Sequence, residues 1–283
     1  MNVPVSIAFA LYSMVGFGFA DFFTKIVLSK SNAVRIALQS QAIGTILFFG
    51  IAMYYDLVVP DYRLITLTLL SGILSGIILC SYYAALSLAK ASLVAPTFSC
   101  LNVVAVVLSI LILGETLSVL QICLIACVIA GILLVAFKKS DDPPSRFGIL
   151  LSLLAAIMAG GNVILQKWIA GDANFLMGFL LMRLFMLGTM TAILLTFGEG
   201  KSSVAPGHGQ MTVLGLVDTT AFFGWYIGLR YGLVSIVTPI ANSSPFVTVI
   251  LAHIFLGERI DRYRWVGIVA ILVGITLLVA ISP

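Results

Sequence analysis

Arg183 and Asp218 have the most chemistry to offer, because each stands inside a long apolar run. At 1.5 Å per residue, Arg183 lies roughly 13 Å from the start of its run at residue 174, and Asp218 roughly 20 Å from the same face. A charge at such depth costs about 2.5–3.5 kcal/mol on an insertion scale, so each must face protein or water. An arginine fork suits a carboxylate or phosphate, and an aspartate suits an ammonium group or a proton relay. Consecutive runs are usually neighbours, and a long arginine can cover the ~6 Å difference in depth. The two therefore form either a structural ion pair or the heart of a solute site.

Further polar residues could complete such a site. The run Asn242-Ser243-Ser244-Pro245 is polar for a mid-membrane stretch, and Asn102 and Gln41 stand in apolar surroundings. Tyr82 and Tyr83 of one run match Trp225 and Tyr226 of another; they read as pocket walls or as part of an interfacial aromatic belt. Tyr12, Asn162 and Gln166 are weaker candidates. Asp21 and Lys25, at i,i+4 near a run's end, suit an interfacial pair, with Asp21, like Asp218, also a candidate for ion coupling. Pro96 and Pro239 each remove a backbone donor inside a run and free a carbonyl, which makes them hinge candidates.

The elements that must position these residues are membrane helices. Of 283 residues, 61% are apolar and only 9% charged, against roughly a quarter charged in a soluble domain. A spanning helix needs about 20 apolar residues, and punctuation by Pro, Gly and charge predicts spans near 3–28, 32–54, 63–88, 92–113, 118–137, 147–169, 174–197, 211–231, 235–256 and 264–281. The first is too long for a secretory h-region. The four cysteines lie in apolar runs and read as packing residues, with no disulfide framework or metal site.

Residues 72–131 and 215–274 are one segment written twice, without a gap, at an offset of 143. Gly72 meets Gly215, Tyr83 meets Tyr226, Pro96 meets Pro239, and Gly114-Glu115 meets Gly257-Glu258. An offset of 142 brings Gly18 onto Gly160 and Lys25 onto Lys167, and carries Arg183 to the neighbourhood of Gln39 and Gln41. Five spans per copy would invert the second copy, the construction of many secondary transporters. Lys and Arg crowd the face with the 138–146 joint, whereas the opposite face has only Arg63, Lys167 and Arg230. By the positive-inside rule the joint is cytoplasmic and both termini lie outside.

Ten spans in two halves, a Gly-Glu pair closing spans four and nine, a Pro near their start and a Lys near the end of spans one and six resemble the EamA-type branch of the drug/metabolite transporter superfamily. The resemblance implies alternating-access transport of a small organic metabolite. The expected fold is an all-α integral membrane protein with ten transmembrane helices, as two inverted five-helix repeats (1–137 and 147–283) around a central cavity. The expected function is secondary transport of an amino-acid-like or other polar, zwitterionic solute. The alternative is a channel or facilitator without ion coupling.

Several classes are set aside. Two scattered histidines and no Gly-x-Ser-x-Gly elbow argue against an enzyme. No P-loop is present to hydrolyse ATP. No cofactor or nucleic acid is expected; the partners are the solute, protons or sodium as coupling ions, and the lipid of a plasma or inner membrane. A monomer suffices, because Gly pairs such as Gly72 and Gly76 have partners enough within one chain. Gly114, Glu115, Gly257 and Glu258 read as helix-terminating structure rather than solute contacts. Scaffold residues recur in both copies, whereas Arg183 and Asp218 occur in one, and that asymmetry marks them as the solute-reading pair.

Overall fold

The computed structural model describes residues 2–28, 33–52, 60–89, 91–136, 146–197, 208–257 and 260–281. Twelve helices follow in order: α1 (Val3–Leu28), α2 (Ala33–Ala52), α3 (Tyr62–Leu88), α4 (Ala91–Ser99), α5 (Leu101–Leu113), α6 (Val119–Ala136), α7 (Arg146–Gly171), α8 (Phe175–Phe197), α9 (His208–Tyr231), α10 (Val234–Ala241), α11 (Ser244–Leu256) and α12 (Arg262–Ile281). Eight stretches among the described residues are long and apolar enough to cross a membrane, with Thr97–Leu113 a shorter apolar helix. All ten stretches predicted from the sequence carry helix, and two of them are broken.

The breaks fall at repeat-equivalent residues. At Cys100 the N–H turns to the carbonyl of Thr97 at 3.2 Å, and at Ser243 it turns to Ile240 at 3.1 Å. Each helix then restarts with a bond back to the break, Val103 to Cys100 and Phe246 to Ser243. The break follows a proline by four residues in both copies, Pro96 and Pro239. Proline cannot donate to the preceding turn, which loosens the ladder there. In the second copy Ser243 Oγ donates to the Pro239 carbonyl at 2.8 Å, replacing the backbone bond lost there, while the Thr238 carbonyl keeps the Asn242 N–H at 3.0 Å and gains Asn242 Nδ2 at 3.0 Å. Both broken segments end on a left-handed glycine, Gly114 at φ 68° and Gly257 at φ 66°, a conformation that only glycine adopts cheaply.

Helix packing repeats as faithfully as the sequence. α1 packs on α9 and α11, while α7 packs on α3 and α5; α2 lies against α9 and α8 against α3. Gly18 abuts Val247 and the Ser244 carbonyl, and Gly160 abuts Val104 and the Leu101 carbonyl, the same positions one repeat apart. α6 and α12 meet each other, with Gly131 against Gly267 and Cys127 Sγ facing the carbonyl of Ala270, its own counterpart at 143 residues. Small residues of this kind let helix backbones approach in lipid.

A Cβ on Gly160 would sit 2.6 Å from Val104 Cβ and 2.9 Å from the Leu101 carbonyl oxygen. Overpacking of this order costs about 1–3 kcal/mol. Gly160→Ala should therefore lower the melting temperature of the detergent-solubilised protein. Gly188, with no atom near its missing Cβ, should tolerate alanine in the same assay.

Candidate functional site

Arg183 is 1% exposed, and its guanidinium donates from Nε and Nη2 to side chains of α2 and α9. Nε donates to Thr45 Oγ1 at 3.0 Å; Nη2 donates to Gln41 Oε1 at 2.6 Å, to the Gln41 carbonyl at 3.3 Å and to Thr219 Oγ1 at 3.0 Å. The other end of the Gln41 amide donates from Nε2 to Asp218 Oδ2 at 2.7 Å. Of the two readings of Arg183 and Asp218, the direct ion pair is not formed: depth permits it, but Gln41 stands between them. The amide turns its carbonyl to the cation and its N–H to the carboxylate, the orientation that satisfies both.

Helix geometry fixes where this relay sits. Gln41 is eight residues into α2 from Ala33, and Arg183 eight residues into α8 from Phe175. Each is therefore roughly 12 Å deep at 1.5 Å per residue. The two helices run in from opposite faces, so the residues meet near the middle of a hydrocarbon layer about 30 Å thick. They are repeat counterparts at 142 residues that touch each other, as Cys127 and Ala270 are at 143.

The relay borders a second group nearer the end of α1. Asp21 Oδ2 accepts from Ser244 Oγ at 3.3 Å, at the first turn of α11, where a helix N-terminus favours a carboxylate. Its neighbour is thus a mid-span helix end rather than the interface alone; the Lys25 side chain lies outside the described residues. Tyr83 is within electrostatic reach of both Asp21 and Asp218, and Tyr82 of Asp21. Asp21 is exposed and the two tyrosines are half-buried.

The other predicted aromatics and amides lie in the packed interior. Tyr226 is fully buried against Phe179 and Phe222, its hydroxyl 3.9 Å from Met182 Sδ. It therefore belongs to the core and not to an interfacial belt. Trp225 packs on Phe222. Asn162 Nδ2 donates to Ser75 Oγ at 2.9 Å, and Asn102 Nδ2 to the Ser99 carbonyl at 3.0 Å. Several buried polar atoms nevertheless lack a hydrogen-bond partner: Asn102 Oδ1, Asn162 Oδ1, Gln166 Oε1, Thr238 Oγ1 and Trp225 Nε1. Apart from Asn102, at mid-depth, these lie in the half of the molecule nearest the termini.

The face carrying the N-terminus, where Asn2 N–H reaches the Tyr231 carbonyl at 3.2 Å, is held by charged side chains on helix ends. Glu115, 8% exposed, accepts from the N–H groups of Val234 at 2.7 Å and Ser235 at 3.0 Å, and from Ser235 Oγ. It caps α10, whose own N-cap Leu233 offers no side-chain acceptor. Lys167 Nζ donates to the carbonyls of Leu229 and Gly232 at the end of α9. In return, Arg230 of α9 donates to the carbonyls of Ala170 and Asp172 at the end of α7 and stacks on Phe175. Cations on C-terminal carbonyls also complement the helix dipole. Between these ends lies a cavity of about 590 Å³ lined by Arg63, Glu115, Lys167, Trp168 and Asp172 among others. Its charged groups are largely committed to helix ends, whereas the relay links side chains of α2, α8 and α9 to one another.

The hinge candidate Pro96 lies in α4 with its side chain outside the described residues, and Glu258 lies outside them altogether. Thr45, Thr219 and the capping roles of Lys167 and Arg230 are not singled out by the sequence. Thr45 was within reach of sequence reasoning, standing one helical turn from Gln41 on the same face.

Comparison with known proteins gives a consistent picture. The EamA-like transporter family matches twice, over residues 5–137 and 146–280. An uncharacterized protein of Methanocaldococcus jannaschii is 34% identical over 138 residues, covering all of that protein and 48% of this chain. An uncharacterized transporter of Sinorhizobium sp, encoded in the region 3′ of cobO, is 25% identical over 130 residues, or 92% of its length and 45% of this chain. A solved crystal structure, 16% identical, superposes with a TM-score of 0.77 over 99% of this chain and 96% of its own.

Proposed function

The chain belongs to the EamA-like transporter family, within the drug/metabolite transporter superfamily, and from that premise we propose that it is a secondary transporter for a small zwitterionic metabolite of the amino-acid kind. The observation that carries this reading is the Arg183–Gln41–Asp218 relay, a cation and an anion held by one amide at mid-membrane depth. Arg183 takes the solute carboxylate, Asp218 takes its ammonium group, and Tyr82 and Tyr83 flank the carbon skeleton. Asp21, held by Ser244 at the start of α11, serves as a second carboxylate for a coupling proton or sodium ion.

Ten spans in two inverted five-helix halves would rock about the relay. Three observations support that motion. The packing of each half is repeated by the other, a relative matches about half of this chain with its entire length, and the short arms of the two broken spans point to opposite faces. The unpartnered polar atoms nearer the termini suit a path that is closed and dry in this state and hydrated in the other, since buried polar groups otherwise require partners. Glu115, Lys167 and Arg230 then hold the closed end. Two of the three basic residues on that face are spent on helix carbonyls, which leaves the positive-inside bias favouring a cytoplasmic 138–146 joint and external termini.

Purified protein in liposomes should show saturable uptake of a standard amino acid, accelerated by the same unlabelled solute on the other side. Flux that rises linearly with concentration and shows no counterflow would assign a channel instead.

A further inference from the structure

Gln41 is the one residue of the relay that touches both charges, and it does so with the polarity of a bound zwitterion. Its amide carbonyl faces Arg183 where a carboxylate would sit, and its amide N–H faces Asp218 where an ammonium group would sit. We infer that the Gln41 side chain occupies the solute's own place in the empty transporter, and that an α-amino acid loads by displacing it. This rests on the reading of Arg183 and Asp218 as the solute site and adds the identity of the competitor.

The surrounding bonds are arranged for such an exchange. If Gln41 Oε1 leaves, Arg183 remains fixed by Thr45 Oγ1, Thr219 Oγ1 and the Gln41 backbone carbonyl. The guanidinium thus keeps its position and offers one charge-assisted bond to a newcomer. Asp218 has no other hydrogen-bond partner among the described contacts, so its carboxylate passes directly from the amide to the ammonium. An unloaded site without Gln41 would leave a buried cation and carboxylate facing each other across a gap, which is costly in a low-dielectric interior. The amide removes that penalty while binding each charge more weakly than an opposite charge would. A zwitterion can therefore win the exchange, whereas a lone carboxylate or a lone amine replaces only half of what it displaces.

The competitor also explains the asymmetry of the repeat. Gln41 is the counterpart of Arg183 and contacts it. A charged residue in its place would hold Arg183 permanently or repel it; a short apolar one would leave the empty state unsatisfied. A neutral side chain with both a donor and an acceptor does neither.

The test is calorimetric titration of the detergent-solubilised full chain with standard L-amino acids. L-leucine, N-acetyl-L-leucine and 3-methylbutylamine serve as the matched zwitterion, anion and cation. The zwitterion should bind, and the two half-charged analogues at least about a hundredfold more weakly, as loss of a charged partner implies. Gln41→Ala removes the competitor and should tighten zwitterion binding at least about tenfold, since two hydrogen bonds to charged groups no longer have to be displaced. Gln41→Asn, too short to reach both charges, should tighten it by less. Arg183→Ala and Asp218→Ala should abolish it. Unchanged or weaker binding in both Gln41 variants, with binding lost in the two charge variants, overturns the competitor role and leaves the site standing. Undiminished binding in the charge variants overturns the site itself, and failure of every standard amino acid to bind the wild type overturns the solute class.

Discussion

Replacing Arg183 by leucine is expected to bring amino-acid counterflow in proteoliposomes down to the level of empty vesicles. The guanidinium makes four hydrogen bonds, and its removal leaves Asp218 as a half-buried carboxylate facing only an amide. Removing one partner of a buried charge pair costs about 3–5 kcal/mol, or about two to four orders of magnitude in an equilibrium. That cost falls on stability as well as on solute binding, so one variant cannot assign it. The double variant Arg183→Leu with Asp218→Asn separates the two. Neutralising both charges removes the stranded carboxylate, so much of the thermal stability should return. Counterflow should not, because nothing remains to recognise either end of a zwitterion. Recovery of transport together with stability would reduce the relay to scaffold. Arg183→Lys is a sharper probe of geometry: an ammonium is a point charge and cannot reproduce the fork that reaches Thr45, Gln41 and Thr219 together, so transport should fall at least tenfold.

The depth of these charges was legible in the sequence because lipid makes depth expensive. A helix in hydrocarbon must be apolar over about 20 residues, so every interruption is visible, and Arg183 and Asp218 announced themselves. The boundaries of the helices followed for the same reason: α1 occupies Val3–Leu28 and α6 Val119–Ala136, close to the expected 3–28 and 118–137. Rotation about the helix axis left a fainter trace. Depth alone suggested that Arg183 could meet Asp218, but which side chain stands between them depends on how α2 turns against α8 and α9. The repeat held the missing information, since the 142-residue offset that carries Gly18 to Gly160 also carries Gln41 to Arg183. Counterparts can meet only where the two halves adjoin across their relating axis, and Gln41 and Arg183 do. The break of span four was hidden differently. Pro96 lies inside α4, and the irregular turn comes at Cys100, an ordinary residue in sequence terms. Its position could be inferred only from Ser243, where neighbouring Asn, Ser and Pro make the same break conspicuous.

Glu115 shows how far a motif can act from where it is written. As part of a Gly-Glu pair it reads as the end of its own helix, and Gly114 does perform that task with its left-handed turn. The carboxylate acts on the other half of the molecule, holding the first two N–H groups of α10 and the Ser235 hydroxyl. Glu115→Ala should therefore strand three buried donors at once. Each unsatisfied donor costs about 1–3 kcal/mol, partly recovered where water enters from the adjoining cavity, which Glu115 itself lines. A net loss of about 3–5 kcal/mol follows by that count, among the largest of any single substitution in this fold. Glu115→Gln distinguishes charge from bonding: its carbonyl can serve one N–H, but its amide turns a donor toward another donor, so it should lose about half as much. Because the α9–α10 turn is held by Glu115 on one side and Lys167 on the other, the damage should be directional. A cysteine at Thr238, buried in α10 with an unpartnered hydroxyl, should react with a membrane-impermeant maleimide faster in Glu115→Gln than in the parent when reagent is added from the side of the termini. Equal labelling rates in the two backgrounds would mean that Glu115 steadies the fold without keeping that end closed.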